Sequence, residues 1–189
     1  MSEHNSGEKS ILGFWVYLMT DLVMFAALFA TFAVLRGNTF GGPGGKELFS
    51  LPFVLVETII LLTSSFTCGL AILGVNSKNL KQVYGWFGAT FVLGLAFLIM
   101  EMYEFSHLVA EGYSWQSNAF LSSFFTLVGT HGLHILVGLF WIIVGLYMVY
   151  KRGLSEVIAN KLVRLSLFWH FLDVVWIFIF TVVYLYAHI

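Results

Sequence analysis

Five long apolar stretches, separated by short polar connections, most constrain the fold of this 189-residue chain. Each is long enough to cross a bilayer, which takes about 20 helical residues at about 1.5 Å per residue. Lipid offers backbone groups no hydrogen-bond partners, so the segments must be helices. The predicted spans are about 11–35, 51–75, 83–105, 119–150 and 162–188. The sequence therefore predicts an all-α integral membrane bundle of five transmembrane helices, with residues 1–189 forming a single membrane domain.

Composition excludes several other classes of protein. Hydrophobic residues make up 59% of the chain and charged residues only 10%, against about 25% charged residues in a soluble domain. The net charge of −1 gives no basic surface for a nucleic-acid partner. A single cysteine, Cys68, excludes a disulfide framework and a Cys-x-x-Cys metal site within the chain.

The distribution of basic residues predicts the orientation in the membrane. Five spans place the N-terminus, the second connection and the fourth connection on one side. The basic residues on that side are Lys9, Lys78, Lys81, Lys151, Arg152, Lys161 and Arg164. Only Arg36 and Lys46 lie on the other side. Because basic residues concentrate on the cytoplasmic side, we expect a cytoplasmic N-terminus and a periplasmic C-terminus.

Ionisable residues inside the spans are the candidate functional residues, because each costs about 2.5–3.5 kcal/mol at the bilayer centre. Counting inward along the first, fourth and fifth helices predicts one polar cluster in the middle to inner layer of the membrane. Its members are Asp21, His131, His134, His170 and Asp173. Neutral histidines both donate and accept hydrogen bonds, so such a network can satisfy its own members.

Three interpretations of this cluster remain open at this point. The first is structural: polar contacts that fix how the helices are aligned. The second is a proton relay, because carboxylate–histidine chains inside membranes carry protons. The third is haem or metal ligation through His131 and His170, although histidines three residues apart are a weak metal signal.

Three more carboxylates lie toward the outer ends of their helices. Glu57 belongs to the outer part of the second helix, and Glu101 and Glu104 end the third on one face. Acid–base chemistry would need such a pair, but a helix end facing interface water explains it equally well. No catalytic residue is assigned.

Small residues four apart favour close helix packing. Such pairs are Ala26/Ala30, Ser65/Gly69 and Gly85/Ala89. Ordinary membrane-helix composition explains each pair at least as well.

Several segments together resemble the signature segments of the haem-copper oxidase subunit III family. They are residues 101–105 (EMYEF), 129–134 (GTHGLH) and 168–176 (FWHFLDVVW), with residues 13–15 (GFW) and 51–53 (LPF) near the starts of the first two helices. Their order and helix placement match the family, so the resemblance spans almost the whole chain.

The resemblance implies a function that spacing alone does not. Subunit III of cytochrome c oxidases has seven helices, and the five-helix form is similar to the bacterial, cytochrome bo-type ubiquinol oxidase branch. In longer members the helix matching 11–35 usually carries a glutamate where this chain has Asp21. In this family subunit I holds the haems and copper, reduces dioxygen and pumps protons.

For this chain the resemblance therefore implies a non-catalytic subunit of the aerobic respiratory chain in the bacterial inner membrane. No cofactor is expected in the chain itself. The implied partners are subunit I as the main contact, subunit II and a small subunit IV, together with bound phospholipid.

Two other classes of function are alternatives to this expectation. A b-type membrane cytochrome exchanging electrons with quinone would use His131, His134 and His170, which lie at comparable depth. A small transporter built on Asp21 is the weaker alternative, because transporters often carry an inverted internal repeat that this chain lacks.

Overall fold

A computed structural model describes residues 2–39 and 50–186, and these form helices joined by short turns. We number the helices in chain order. They are α1 (Ser2–Leu35), α2 (Leu51–Asn76), α3 (Leu80–Ala110), α4 (Ala119–Arg152) and α5 (Glu156–Ile179), with a π-helical segment (Phe180–Leu185) continuing α5. Each contains or forms part of a span long and apolar enough to cross a membrane. The prediction of five helices that are long and apolar enough to cross a membrane is confirmed. Lys46, most of the glycine-rich connection and the last residues of the fifth predicted span lie outside the described residues.

Several helices are longer than their predicted apolar spans. The first helix starts at Ser2 although its membrane-spanning part starts at Ile11. The third extends to Ala110, and the fifth begins at Glu156. Hydrophobicity marks only the part of a helix that lies in hydrocarbon. The helix itself continues into the polar interface, because each added residue adds a backbone hydrogen bond. The additional turns therefore carry polar residues that the hydropathy pattern assigns to connections.

Local signals fix where two helices begin. Asn118 precedes α4, and its side-chain oxygen accepts a hydrogen bond of 2.7 Å from the backbone N–H of Leu121. Pro52 stands in the first turn of α2. A backbone N–H at that position would have no acceptor within the helix, so its absence in proline breaks no hydrogen bond. The first backbone N–H groups of a helix have no acceptor within it. Asn118 supplies such an acceptor, and Pro52 has no N–H that needs one.

Helices α4 and α5 form the centre of the bundle. Both pack against α1 on one side of the centre. Helices α2 and α3 pack most extensively against each other, and this hairpin lies against the centre through α2–α5 and α3–α4 contacts. A buried polar side chain of α5 can therefore meet α1, α2 or α4, depending on its position around the helix.

The indole of Trp169 is tightly enclosed in the core. It is fully buried, and it lies against Gly94 of α3 and Gly138 of α4. A Cβ atom at Gly94 would lie 2.7 Å from the indole, and one at Gly138 would lie 2.9 Å from it. The predicted small-residue pairs do not mark these approaches, because a Cβ atom at Gly69 or Gly85 would meet open space.

A row of hydrogen bonds joins α2 to α5 along their antiparallel axes. Trp176 Nε1 donates to Thr58 Oγ1 at 3.0 Å, and Trp169 Nε1 donates to Ser64 Oγ at 2.8 Å. The Ser65 hydroxyl and Nδ1 of His170 lie 2.7 Å apart. Interhelical hydrogen bonds in membranes contribute about 0.6 kcal/mol each on average. Three in one register therefore select this alignment of the two helices.

We expect Ser64→Ala to lower the free energy of unfolding by about 1–3 kcal/mol, because the buried N–H of Trp169 would lose its acceptor. The matched control is Thr63→Ala on the same helix. Thr63 is exposed and bonds only the carbonyl of Ile59. Denaturant unfolding of the detergent-solubilised chain measures both variants, and equal losses would contradict the assignment.

Candidate functional site

The polar residues predicted as one cluster begin with a pair between α1 and α4. Asp21 Oδ2 lies 3.9 Å from Nε2 of His134, and both side chains are largely buried. Nδ1 of His134 lies 2.7 Å from the carbonyl oxygen of Thr130. A carbonyl only accepts, so Nδ1 is the donor in that bond. Nε2 faces Asp21 across 3.9 Å, which is longer than a hydrogen bond.

His131 lies one turn away, and aromatic rings enclose it. Its imidazole stacks on Trp176 at 5.2 Å between centroids, with Phe97 and Phe25 edge-on at 6.0 Å and 6.4 Å. The residue is fully buried, and neither ring nitrogen has a hydrogen-bond partner among the described residues. A porphyrin could not reach those nitrogens without displacing the rings. The surroundings of His131 therefore do not fit a haem ligand.

His170 and Asp173 form the second pair, on α5. Asp173 Oδ2 lies 3.7 Å from Nδ1 of His170, the nitrogen that also contacts Ser65 of α2. The five predicted residues are thus divided between two pairs and one enclosed ring. Side chains three residues apart on a helix point about 60° away from each other, which lets neighbours in one helix meet different partners. The expectation of one cluster joining α1, α4 and α5 did not anticipate the partner on α2.

The three remaining carboxylates are buried, so the alternative in which Glu101 and Glu104 face interface water does not hold. Glu57 is 0% exposed, Glu101 is 1% exposed and Glu104 is 8% exposed. Helix α3 continues past them to Ala110, and their side chains are buried within the bundle. The Glu101 carboxylate packs against Gly132 of α4, where an added Cβ would lie 2.7 Å from a carboxylate oxygen.

Tyr184 is the partner of this carboxylate group that the sequence analysis missed. It belongs to the π-helical segment Phe180–Leu185, it is fully buried, and its hydroxyl donates to Glu104 Oε2 at 2.8 Å. A π-helical turn is wider than an α-helical one and is often found at functional sites. A buried tyrosine hydroxyl usually needs a hydrogen-bond partner. That need is the feature of the sequence that could have linked Tyr184 to a carboxylate.

An apolar cavity of about 520 Å³ lies between α1 and α5. Its walls include Trp15, Met19 and Phe25 of α1, and Phe171 and Phe178 of α5. His170 also lines it. A cavity with such walls suits an acyl chain.

Metal binding has no support in the arrangement of side chains. Within residues 2–39 and 50–186, no three His, Cys, Asp or Glu side chains are placed to hold a metal ion. The Asp21–His134 and His170–Asp173 pairs each offer two groups, fewer than structural metal sites use.

Comparisons with known proteins agree over nearly the whole chain. A cytochrome c oxidase subunit III family model matches residues 4–188. Cytochrome bo(3) ubiquinol oxidase subunit 3 of Pseudomonas aeruginosa is 56% identical over 182 residues, covering 96% of this chain and 87% of that protein. Quinol oxidase subunit 3 of Bacillus spizizenii is 49% identical, covering 97% of this chain and 90% of its own length. Cytochrome c oxidase subunit 3 of Bacillus sp. (strain PS3) is also 49% identical, over 95% of this chain and 86% of its own length. This multi-pass membrane protein therefore belongs to the cytochrome c oxidase subunit III family.

Proposed function

We propose that the chain is subunit 3 of a haem-copper ubiquinol oxidase of the aerobic respiratory chain. The observation that carries the proposal is the 56% identity to a ubiquinol oxidase subunit 3 across 96% of the chain. In this role it packs against subunit I, beside subunit II and a small subunit IV, and sustains turnover without a redox centre of its own. The haems, the copper and the proton pump belong to subunit I.

The polar groups inside the bundle act structurally in this proposal. The Asp21–His134 contact holds α1 against α4, and the hydroxyls of α2 hold α5. Helix α1 needs such a contact because most of its apolar side chains face outward. A proton-handling role for Asp21 is the alternative. It predicts that Asp21→Asn changes proton uptake while the fold stays intact.

The b-type cytochrome is not favoured. His131 is enclosed by aromatic rings and His170 contacts Ser65 of α2, so the two are not arranged as a pair of axial ligands. The relatives compared above are named as oxidase third subunits.

Lipid is a further ligand in the proposed role. The cavity between α1 and α5 has apolar walls and lies in the membrane-spanning part of both helices. An acyl chain placed there would fill space between two helices that contact each other less than their neighbours do.

The proposed location is the bacterial inner membrane, with residues 1–189 forming one membrane domain. The N-terminus is cytoplasmic and the C-terminus periplasmic, because seven basic residues lie on one side of the spans and two on the other. The absence of room for a soluble domain between the described helices supports the single-domain assignment.

Cysteine labelling of intact cells tests this orientation. We expect a membrane-impermeant maleimide to label Gln116→Cys, in the connection before α4, and to leave Lys81→Cys unlabelled until the cells are opened. Both positions are exposed. The parent chain is the control, because its Cys68 is buried. The reverse pattern would overturn the orientation.

Removal of this chain from the oxidase tests its accessory role. We expect membranes without it to keep the haem of subunit I and its initial rate of quinol oxidation, and to lose activity faster during turnover. Restoring the chain should restore the lifetime. Immediate loss of all quinol oxidation with haem still in place would mean that the chain supplies part of the catalytic centre.

A further inference from the structure

Three buried carboxyl groups lie close together near the end of the bundle where α2 begins and α3 ends. Glu57 belongs to α2, and Glu101 and Glu104 belong to α3. They are near enough to interact electrostatically with one another. Both carboxylate oxygens of Glu57 and of Glu101 have no hydrogen-bond partner among the described residues, and Glu104 accepts from Tyr184.

No basic side chain compensates this group within the part of the chain that the structure describes. The close acid–base contacts there are His134–Asp21, His170–Asp173 and His107–Glu111, and none involves the three glutamates. Buried ionisable groups are normally paired or hydrogen-bonded. Three carboxyls with one tyrosine hydroxyl between them leave acceptors in excess of donors. A cationic donor from outside the chain that reached Glu104, the most exposed of the three, would reduce that imbalance.

A pocket of about 240 Å³ opens beside Glu104, and we call it the Glu104 pocket. Its walls are Ser50, Phe53, Tyr103, Glu104, His107 and Leu108. The rings of Phe53 and Tyr103 lie 6.1 Å apart on its sides. The small part of Glu104 that is exposed faces this space, while Glu57 lies one helical turn inward from Phe53.

The chemistry of the Glu104 pocket suits a primary ammonium group. Aromatic faces attract a cation, and a carboxylate accepts its N–H groups in charge-assisted hydrogen bonds. A metal ion is a poorer fit, because no three acidic or histidine side chains of the described residues are placed to coordinate one. Ser50 precedes the first residue of α2, so the pocket lies at the level of the membrane interface, where lipid head groups lie.

We propose that the Glu104 pocket binds a primary ammonium group, as carried by the head group of phosphatidylethanolamine. The amine N–H groups donate to Glu104, and the cation lies beside the rings of Phe53 and Tyr103, which line the same pocket. The inference adds a second lipid site, separate from the cavity between α1 and α5, and does not depend on assembly with an oxidase. A failure of either proposal would therefore be seen separately.

The full chain in nanodiscs of equimolar phosphatidylethanolamine and phosphatidylcholine, with matched acyl chains, tests the proposal. Phosphatidylcholine keeps the positive charge but has no N–H donor, so the comparison isolates the hydrogen bonds. Native mass spectrometry of the extracted protein gives the ratio of the two retained lipids. We expect the wild-type chain to enrich phosphatidylethanolamine about tenfold, which corresponds to about 1.4 kcal/mol. Glu104→Gln should lower the enrichment to about one.

Two further variants separate binding from folding. Glu156→Gln, in the exposed first turn of α5 at the opposite end of the bundle, should keep the wild-type ratio. Tyr184→Phe removes the hydroxyl that Glu104 accepts from and keeps the carboxylate, so enrichment should persist. Loss of enrichment in Tyr184→Phe equal to that in Glu104→Gln would mean that the cluster acts only structurally, and this would overturn the proposal.

Ethanolamine distinguishes a lipid head group from a soluble amine. It is titrated into the chain in phosphatidylcholine nanodiscs, and calorimetry records the heat. A saturable heat that Glu104→Gln abolishes would support the same ammonium chemistry with a soluble source. Equal retention of the two lipids by the wild-type chain, with no heat from ethanolamine, would overturn the proposal.

Discussion

Replacing Trp169 with alanine is expected to lower the free energy of unfolding by about 3–5 kcal/mol, the cost of deleting a large buried aromatic side chain. The indole is 0% exposed, packs against glycines of α3 and α4, and donates to Ser64 of α2. In lipid the helices associate through van der Waals packing and hydrogen bonds, so the cavity removes contacts among four helices at once.

Trp86→Ala is the matched control for that substitution. Trp86 belongs to α3 and is 38% exposed, so its loss should cost less than about 1 kcal/mol. Denaturant unfolding of both detergent-solubilised variants, followed by circular dichroism, gives the comparison. Similar losses for the two tryptophans would mean that Trp169 is not the centre of the packing.

The second large effect is expected at Gly94, where alanine would overpack the core. Its Cβ would lie 2.7 Å and 2.8 Å from two indole carbons of Trp169, and 3.1 Å from Cδ2 of Leu139. Real Cβ atoms do not approach that closely, and the indole is held by its bond to Ser64. Relieving such overpacking costs about 1–3 kcal/mol. We therefore expect Gly94→Ala to lower stability by that amount.

Gly88→Ala on the same helix is its control, because an added Cβ there would meet open space. It should leave stability unchanged or raise it slightly, since alanine favours helix. A second check combines Gly94→Ala with Trp169→Phe, which shortens the side chain that would clash. The combined loss should be smaller than the sum of the separate losses. Additive losses would show that the two residues do not interact.

The sequence predicts the five helices correctly because a membrane span has a length and composition set by the bilayer. It does not predict which face of α5 meets α2, since apolar residues occur all around both helices. The structure settles this through Thr58 and Ser64, which bond tryptophans of α5. Such hydroxyls give no clear signal in a sequence, because Thr63 on the same helix bonds only its own backbone.

The candidate sites were predictable in part. The cost of ionisable groups in lipid singled out Glu57, Glu101 and Glu104, and all three prove to be buried. Their partner Tyr184 was not found, because its inward position depends on the π-helical segment of α5. Close approach at Gly94 was also missed. A glycine between apolar residues looks the same whether it meets an indole or lipid.

The division of the predicted polar cluster has a similar cause. Residues three apart share a helix face only approximately, and a bundle places different neighbours at the two edges of that face. His134 therefore meets Asp21 of α1, whereas His131 meets Trp176 of α5. Residue counting does not give the direction of each side chain, which depended on the packing of the bundle.

Copurification with an affinity tag on this chain tests the central claim most directly. In mild detergent we expect the chain to elute with a large haem-bearing polypeptide that oxidises ubiquinol. The ratio of haem to the tagged chain should not change when His131, His134 and His170 are each replaced in turn, provided the complex stays assembled. Elution as a lone chain with its own haem absorbance, lost with those histidines, would contradict the assignment of an accessory oxidase subunit.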